Sequence, residues 1–404
     1  MAAVGIDLRF FVSQRSGSAW SKFISLVLLF SIGIWALPAG MYWAIFRKVE
    51  ITILVYQMVV VTSALAYFNA LLFRFLSKNI ADNFSRSILY RQLSIFIGVM
   101  GCLSFGVNYL LGLTLDLTLT LVFANMILGM LISLFYVSIE LRIYRLIGFI
   151  AVILLILLGF IFVYPLKSLI GLGVLYFCCL ILMISIPKES DFDQRSFFQD
   201  SMFISLASLF FMLGFWSDKV VLMNNLSAYG ETGSIIIKDL TLAFFLTLPV
   251  NVLAFLITEY YWGYSFFKLM RALRSLGADI DGTEREFIAA LKRILCFSVM
   301  IFSLLAVVYI LLVPPEATLV VLSLTSQFFA QVFFVFLIYF RRDFTLLLMS
   351  SGYLCATFFL ANSLDLDRYF GLSLLIANLF FAGLSMVLLK FDIDKALVRY
   401  FQDA

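Results

Sequence analysis

The strongest candidate for chemistry is an acid and a base side by side in an apolar run: Asp218 and Lys219 in FMLGFWSDKVVLM. Ionised side chains inside a membrane helix are expensive, and where they occur they mark substrate or ion paths by default. Neighbouring positions on a helix do not face each other, so the two charges are expected to need separate partners or water. Lys219 has two readings. If its span is entered near Ser201, the residue lies about 27 Å along the axis at about 1.5 Å per residue, in the outer half. Its ammonium then either lines a wetted interior or snorkels to the outer headgroups. A second carboxylate, Glu259 in FLITEYYWGY, sits near the inner end of another apolar run, where it is expected to pair with the basic segment that follows. Gln327 and Gln331 are four apart and share a helix face. With Asn69, Asn125, Asn251 and Asn378 they are neutral polar groups within spans, and interhelical hydrogen bonding is their commoner use.

Several chemistries are excluded. The chain has no histidine, which removes histidine proton relays, zinc–histidine sites and Ser-His-Asp catalysis. Cys102, Cys178, Cys179, Cys296 and Cys355 all fall in apolar runs without a CxxC spacing, and they read as buried small hydrophobes. Three short acidic pairs occur, Asp191/Asp193, Asp279/Asp281 and Asp392/Asp394. As three-residue patterns without a soluble catalytic domain they carry no enzyme assignment. No P-loop or dinucleotide fingerprint is present. The reading is a protein that is not an enzyme and holds no cofactor or metal.

The elements that must position these residues follow from composition. Of 404 residues, 64% are hydrophobic and 13% charged, with a mean hydropathy of +1.09. A soluble domain averages roughly 45–50% apolar and about 25% charged, so the solvent for this surface is lipid. Backbone groups in lipid must bond internally, which leaves helices or closed barrels. Continuous runs of about 20 apolar residues fit helices, whereas barrel strands alternate over about 10. The expected fold is therefore all-α and polytopic, with about twelve spans. These are 23–46, 51–73, 93–113, 117–139, 146–164, 168–186, 201–223, 239–262, 294–313, 317–340, 344–363 and 370–389. The amphipathic stretch Met1–Lys22 is not read as a cleaved leader.

Basic residues orient the chain. With the N-terminus inside, 22 of the 28 Lys and Arg fall in inner segments and five in outer ones, leaving Lys219 within a span. Such a bias is the positive-inside pattern, and it places both termini in the cytoplasm of a bacterial inner membrane. The polar segment 188–200 separates an N-terminal lobe, 1–187 with six spans, from a C-terminal lobe, 201–404 with six more; the pair resembles the parallel-repeat plan of many transporters. Residues 263–293 form a second cytoplasmic segment. Lys268, Arg271 and Arg274 lie there at helical spacing, followed by a break over Gly277–Gly282 and another helix-like stretch. It reads as a solvated loop or as a surface for lipid or a partner.

Several stretches resemble one family. The opening Gly5-Ile6-Asp7-Leu8-Arg9 is similar to the Gly-hydrophobic-acid-Leu-Arg start of PelG exopolysaccharide transporters. The segment Leu213-Gly214-Phe215-Trp216-Ser217-Asp218-Lys219 resembles that family's Leu-Gly-X-Trp-Ala-Asp-Lys segment, and the likeness runs through Asp239 to Glu259 and its aromatics. The family's Ser-Gly-Pro-Trp pattern in the first span is degraded here to Ser31-Ile32-Gly33-Ile34-Trp35. The resemblance implies a fold of the multidrug/oligosaccharidyl-lipid/polysaccharide flippase superfamily, two MATE-like lobes about a central cavity. It implies transport of a Pel-like amino-sugar polymer, with a cytoplasmic glycosyltransferase and a cyclic-di-GMP-binding membrane protein as partners. Asp218, Lys219, Trp216, Glu259, Gln327 and Gln331 are the candidate substrate contacts. Two alternatives stand beside it: a flippase for a lipid-linked oligosaccharide, against which the scarcity of arginine within spans weighs, and a membrane scaffold of a polysaccharide synthase. The orientation has a direct check. A fluorescent protein that folds only in the cytoplasm, fused after Ala404, is expected to fluoresce, and alkaline phosphatase fused at the same point to stay inactive; the opposite pair of results refutes the assignment.

Overall fold

A computed structural model describes residues 51–79, 86–140, 194–224, 280–339, 342–364 and 371–402, with helical positions at 247, 250, 251, 254 and 258. Among these residues the protein is all-helical. Its helices are α1 (Ile51–Asn79), α2 (Arg86–Leu110), α3 (Leu115–Glu140), α4 (Gln194–Asn224), α5 (Ile280–Leu312), α6 (Pro315–Tyr339), α7 (Asp343–Ser363) and α8 (Leu372–Gln402). Each coincides with an expected span. The spans expected at 23–46, 146–164 and 168–186, and most of 239–262, lie outside the described residues. Six described helices are long and apolar enough to cross a membrane, in α2 and α4 to α8. Shorter apolar stretches, Val55–Phe68 and Leu115–Ile127, lie within α1 and α3. The chain is a multi-pass membrane protein.

The apolar surface is arranged for lipid. On α2, Leu93, Phe96, Ile97, Met100, Ser104 and Asn108 are buried at helical spacing, while Ile95, Val99, Leu103 and Tyr109 are exposed on the other side. A helix in water would carry polar residues there; one that is apolar all round suits a bilayer. α5 is the outermost case and α6 the innermost: 17% of Leu295–Leu312 is buried by protein, against 72% of Ala317–Ile338.

The described residues form two compact units that part between Leu213 and Gly214, within α4. In the first, α2 and α3 pair closely and α1 packs on both. Phe68 of α1 stacks on Phe96 of α2 with ring centroids 4.2 Å apart. The turn from α2 to α3 is chemically explicit. Gly112 takes φ +66°, its N–H donates to Tyr109 O at 3.0 Å, and Leu113 N–H donates to Asn108 O at 3.2 Å. This is the Schellman arrangement, in which a left-handed glycine lets the last carbonyls of a helix find donors. Thr114 then opens α3, its carbonyl receiving Thr118 N–H at 2.9 Å.

In the second unit α6 is central, packed on α8 and α5, while α7 lies chiefly against α8. α5 and α6 form a hairpin through Val313 and Pro314, and Pro315 is the first residue of α6. Proline disfavours helix at the residue before it and suits the first helical position, where its missing N–H is not required. Gly371, at φ +91°, precedes α8; a Cβ there would come within 2.9 Å of Leu319 O, so α8 enters against the backbone of α6 because this residue has no side chain.

Three expectations change. The segment 188–200 is helical from Gln194 onward. Of the break expected over Gly277–Gly282, residues 280–282 are helical, since α5 runs from Ile280 through Gly282 into its span without interruption, and 277–279 lie outside the described residues. One glycine costs a helix about 1 kcal/mol, which neighbouring turns absorb. The cysteines also differ: Cys102, Cys296 and Cys355 are exposed on their helices, not buried in protein. An apolar thiol facing acyl chains is as well solvated as one in a protein core, so hydropathy alone does not separate the two. Cys178 and Cys179 lie outside the described residues. In membrane vesicles, Cys102, Cys296 and Cys355 are expected to react with a lipid-soluble maleimide and to resist a charged thiosulfonate; mass spectrometry of the labelled peptides reads both, and rapid labelling by the charged reagent refutes lipid exposure.

Candidate functional site

Asp218 and Lys219 lie on α4, six and five residues before its end at Asn224, with Asp218 about 9 Å from it along the axis. Both are buried, Asp218 at 0% exposure and Lys219 at 6%. They also bond to each other, against the expectation of separate partners: Lys219 Nζ donates to Asp218 Oδ1 at 2.8 Å. The reason is reach. Side chains on a helix lean toward its N-terminus, and four methylenes let the ammonium curl back by a turn. There it also donates to Phe215 O at 2.9 Å and lies 4.5 Å from the centre of the Phe215 ring. The ammonium is thus drawn back along α4, away from the helix end, and the snorkelling reading is not the arrangement adopted. Asp218 Oδ2 is buried and has no hydrogen-bond partner among the described residues.

The couplet is held by close helix contact. Gly214, one turn earlier on α4, meets α7: a Cβ on it would fall 2.6 Å from two ring carbons of Tyr353 and 3.3 Å from Leu354 Cα. Phe215 and Trp216 are among the largest fully buried side chains, edge to face at 5.1 Å. Trp216 is thus packed inside the protein beside the couplet.

Tyr353 joins the couplet to a buried polar network. Its ring lies against Gly214, one turn before Asp218, and its hydroxyl contacts Gln327 Oε1 of α6 at 2.6 Å and Asn378 Oδ1 of α8 at 2.7 Å. One hydroxyl has one proton to donate. Asn378 Nδ2 already donates to Ser326 Oγ at 2.9 Å and to Ser323 O at 3.1 Å, which fixes that amide. The pattern satisfying every group therefore has the Gln327 amide turned, with its nitrogen toward Tyr353. Gln331, one turn further along α6, is partly exposed and the described hydrogen bonds do not include it.

The first unit holds a second network. Gln57 Nε2 of α1 donates to Asn108 Oδ1 of α2. Asn125 Nδ2 of α3 donates to Gln57 Oε1 and to Ser104 Oγ of α2, each at 2.7 Å. All four residues are at 0% exposure. Asn251 is buried too, its Nδ2 donating to Tyr309 Oη of α5 at 3.2 Å. Glu259 lies outside the described residues, as do the Asn69 side chain, Asp191, Asp193 and Asp279.

Of the candidates, the structure brings together Asp218, Lys219 and Trp216 on α4, and Gln327 bonds to Tyr353, whose ring meets α4 at Gly214. Sequence reasoning missed Tyr353, Gln57, Ser104 and Asn108. A signal for Tyr353 was available: Ser350, Tyr353 and Thr357 form a polar stripe at helical spacing in an apolar run, and all three are buried. No family model, curated protein or solved structure matches this chain.

Removing one partner of a buried ion pair strands the other charge, which destabilises by about 3–5 kcal/mol, while replacing both by apolar residues is far milder. Asp218→Ala is therefore expected to destabilise the protein more than the double change Asp218→Ala with Lys219→Met. Unfolding in mixed micelles measures both, and a double variant weaker than the single one contradicts this account.

Proposed function

We propose that this chain transports a polysaccharide, a Pel-like amino-sugar polymer, across the bacterial inner membrane, with Asp218 as its principal substrate contact. The observation that carries the reading is a fully buried carboxylate within a membrane span, with one oxygen held by Lys219 and the other meeting no donor among the described residues. Buried ionised groups in membrane helices that are not fully paired are typical of transport paths. A sugar chain offers hydroxyl and amino donors, which a carboxylate oxygen accepts well. In this proposal twelve spans form two six-helix lobes with both termini cytoplasmic, and a cytoplasmic glycosyltransferase with a cyclic-di-GMP-binding membrane partner supplies the polymer. Lys219 balances the charge of the carboxylate in the absence of substrate. Trp216 and Phe215 fix the couplet in place, and Gln327 acts through Tyr353 to hold α4 against α6 and α7.

Export of polymer in cells carrying Asp218→Asn is the test, with assembly of the synthase complex followed by co-purification. Export is expected to fall about tenfold or more, equivalent to a lost contact of about 1.4 kcal/mol, with assembly intact. Undiminished export with assembly intact refutes the transport role and leaves a scaffold.

A further inference from the structure

We propose that Asp218 Oδ2 is also a proton site, so that the couplet alternates between an ion pair and a neutral acid beside an ammonium; the idea rests on the transport reading only for its coupling to substrate. Three features of the geometry carry it. The oxygen is buried and makes no hydrogen bond to a described residue, so a proton arriving there displaces no protein contact. The carboxylate's other oxygen is held by a single donor, Lys219 Nζ at 2.8 Å. That ammonium also has the Phe215 carbonyl at 2.9 Å and the Phe215 ring at 4.5 Å, and a neutral acid, unlike an alanine, still offers it Oδ1 as an acceptor.

The step balances simply. The Asp218 carboxylate and one proton give the carboxylic acid, no other bond forms or breaks, and the site gains one positive charge. A metal cation fits poorly, because an ammonium 2.8 Å from the carboxylate repels it and a metal needs several oxygen ligands at once. Among the described residues, the titratable groups placed beside Asp218 are Lys219, its ion-pair partner on the same helix, and Tyr353 of α7, whose ring lies against Gly214 one turn away. Beyond Tyr353, α6 and α8 present the neutral groups Gln327, Ser323, Ser326 and Asn378. The oxygen that takes the proton is the one offered to substrate. Occupancy is then exclusive, and a proton gradient drives exchange at the site.

The test is infrared difference spectroscopy of the full chain in liposomes without substrate, with isotope-labelled aspartate, between about pH 5 and about pH 9. The wild-type protein is expected to show a protonated-carboxyl C=O band at acid pH that is lost in Asp218→Asn. Asp218→Glu, which keeps a carboxyl group, is expected to retain a titrating band that no longer carries the aspartate label. Spectra identical for the wild-type protein and Asp218→Asn overturn the proposal, and so does a wild-type spectrum without such a band, which needs no variant to fold. The export assay separates the two ideas. A lost band with unchanged export sinks the transport reading and keeps the proton site; lost export with no band change does the reverse.

Discussion

A bilayer offers no hydrogen-bond partner to anything placed in it, and that absence organises this protein. A backbone amide left alone in hydrocarbon costs several kcal/mol, so the chain coils into helices of about bilayer length. The same constraint acts on side chains. Gln57, Asn108, Asn125 and Ser104 close on one another, and Tyr353 gathers Gln327 and Asn378. In membrane proteins such bonds contribute about 0.6 kcal/mol each on average, so their role is as much to fix which helix faces meet as to stabilise them. The helices of this protein are therefore registered by polar groups, while the apolar residues that dominate its composition face either way.

That asymmetry decides what could be read in advance. Run length sufficed for where the helices occur, since α1 to α8 cover the apolar stretches of suitable length, and the turns at Gly112, Pro314–Pro315 and Gly371 follow from residue type, but the polar extensions of α4, α5 and α8 did not. Which way a residue faces was not legible, because lipid and protein interior are equally apolar. Cys102 and Met100 are two residues apart on α2, one exposed and the other buried, and hydropathy does not distinguish them. Polar residues are the exception, since they are forced inward, and Asn125, Asn251, Gln327 and Asn378 were recognisable for that reason. Tyr353 escaped notice because tyrosine is common at membrane interfaces, and its role depends on amides from two other helices.

At the couplet, sequence spacing pointed in the wrong direction for a physical reason. Rules for side-chain pairs on helices describe exposed surfaces, where water competes for every charge. In a dry interior an ammonium has few alternatives, and a lysine stem is long enough to return to its neighbour. Pairing within one helix keeps the two charges together on α4. Gly214 serves the same arrangement, since its bare Cα lets the Tyr353 ring lie against α4 one turn from the acid.

α8 is one unbroken helix from Leu372 to Gln402, yet its apolar span ends at Leu389. The remaining 13 residues carry the same helix on for about 20 Å at about 1.5 Å each. An uninterrupted helix bends little over that distance, so it acts as a lever whose fulcrum is the packing of α8 on α6 and α7. A tilt of about ten degrees at that fulcrum sweeps the far tip several ångströms sideways. Motion around Asn378 would thereby be displayed, enlarged, outside the bilayer, where a soluble protein could detect it or resist it.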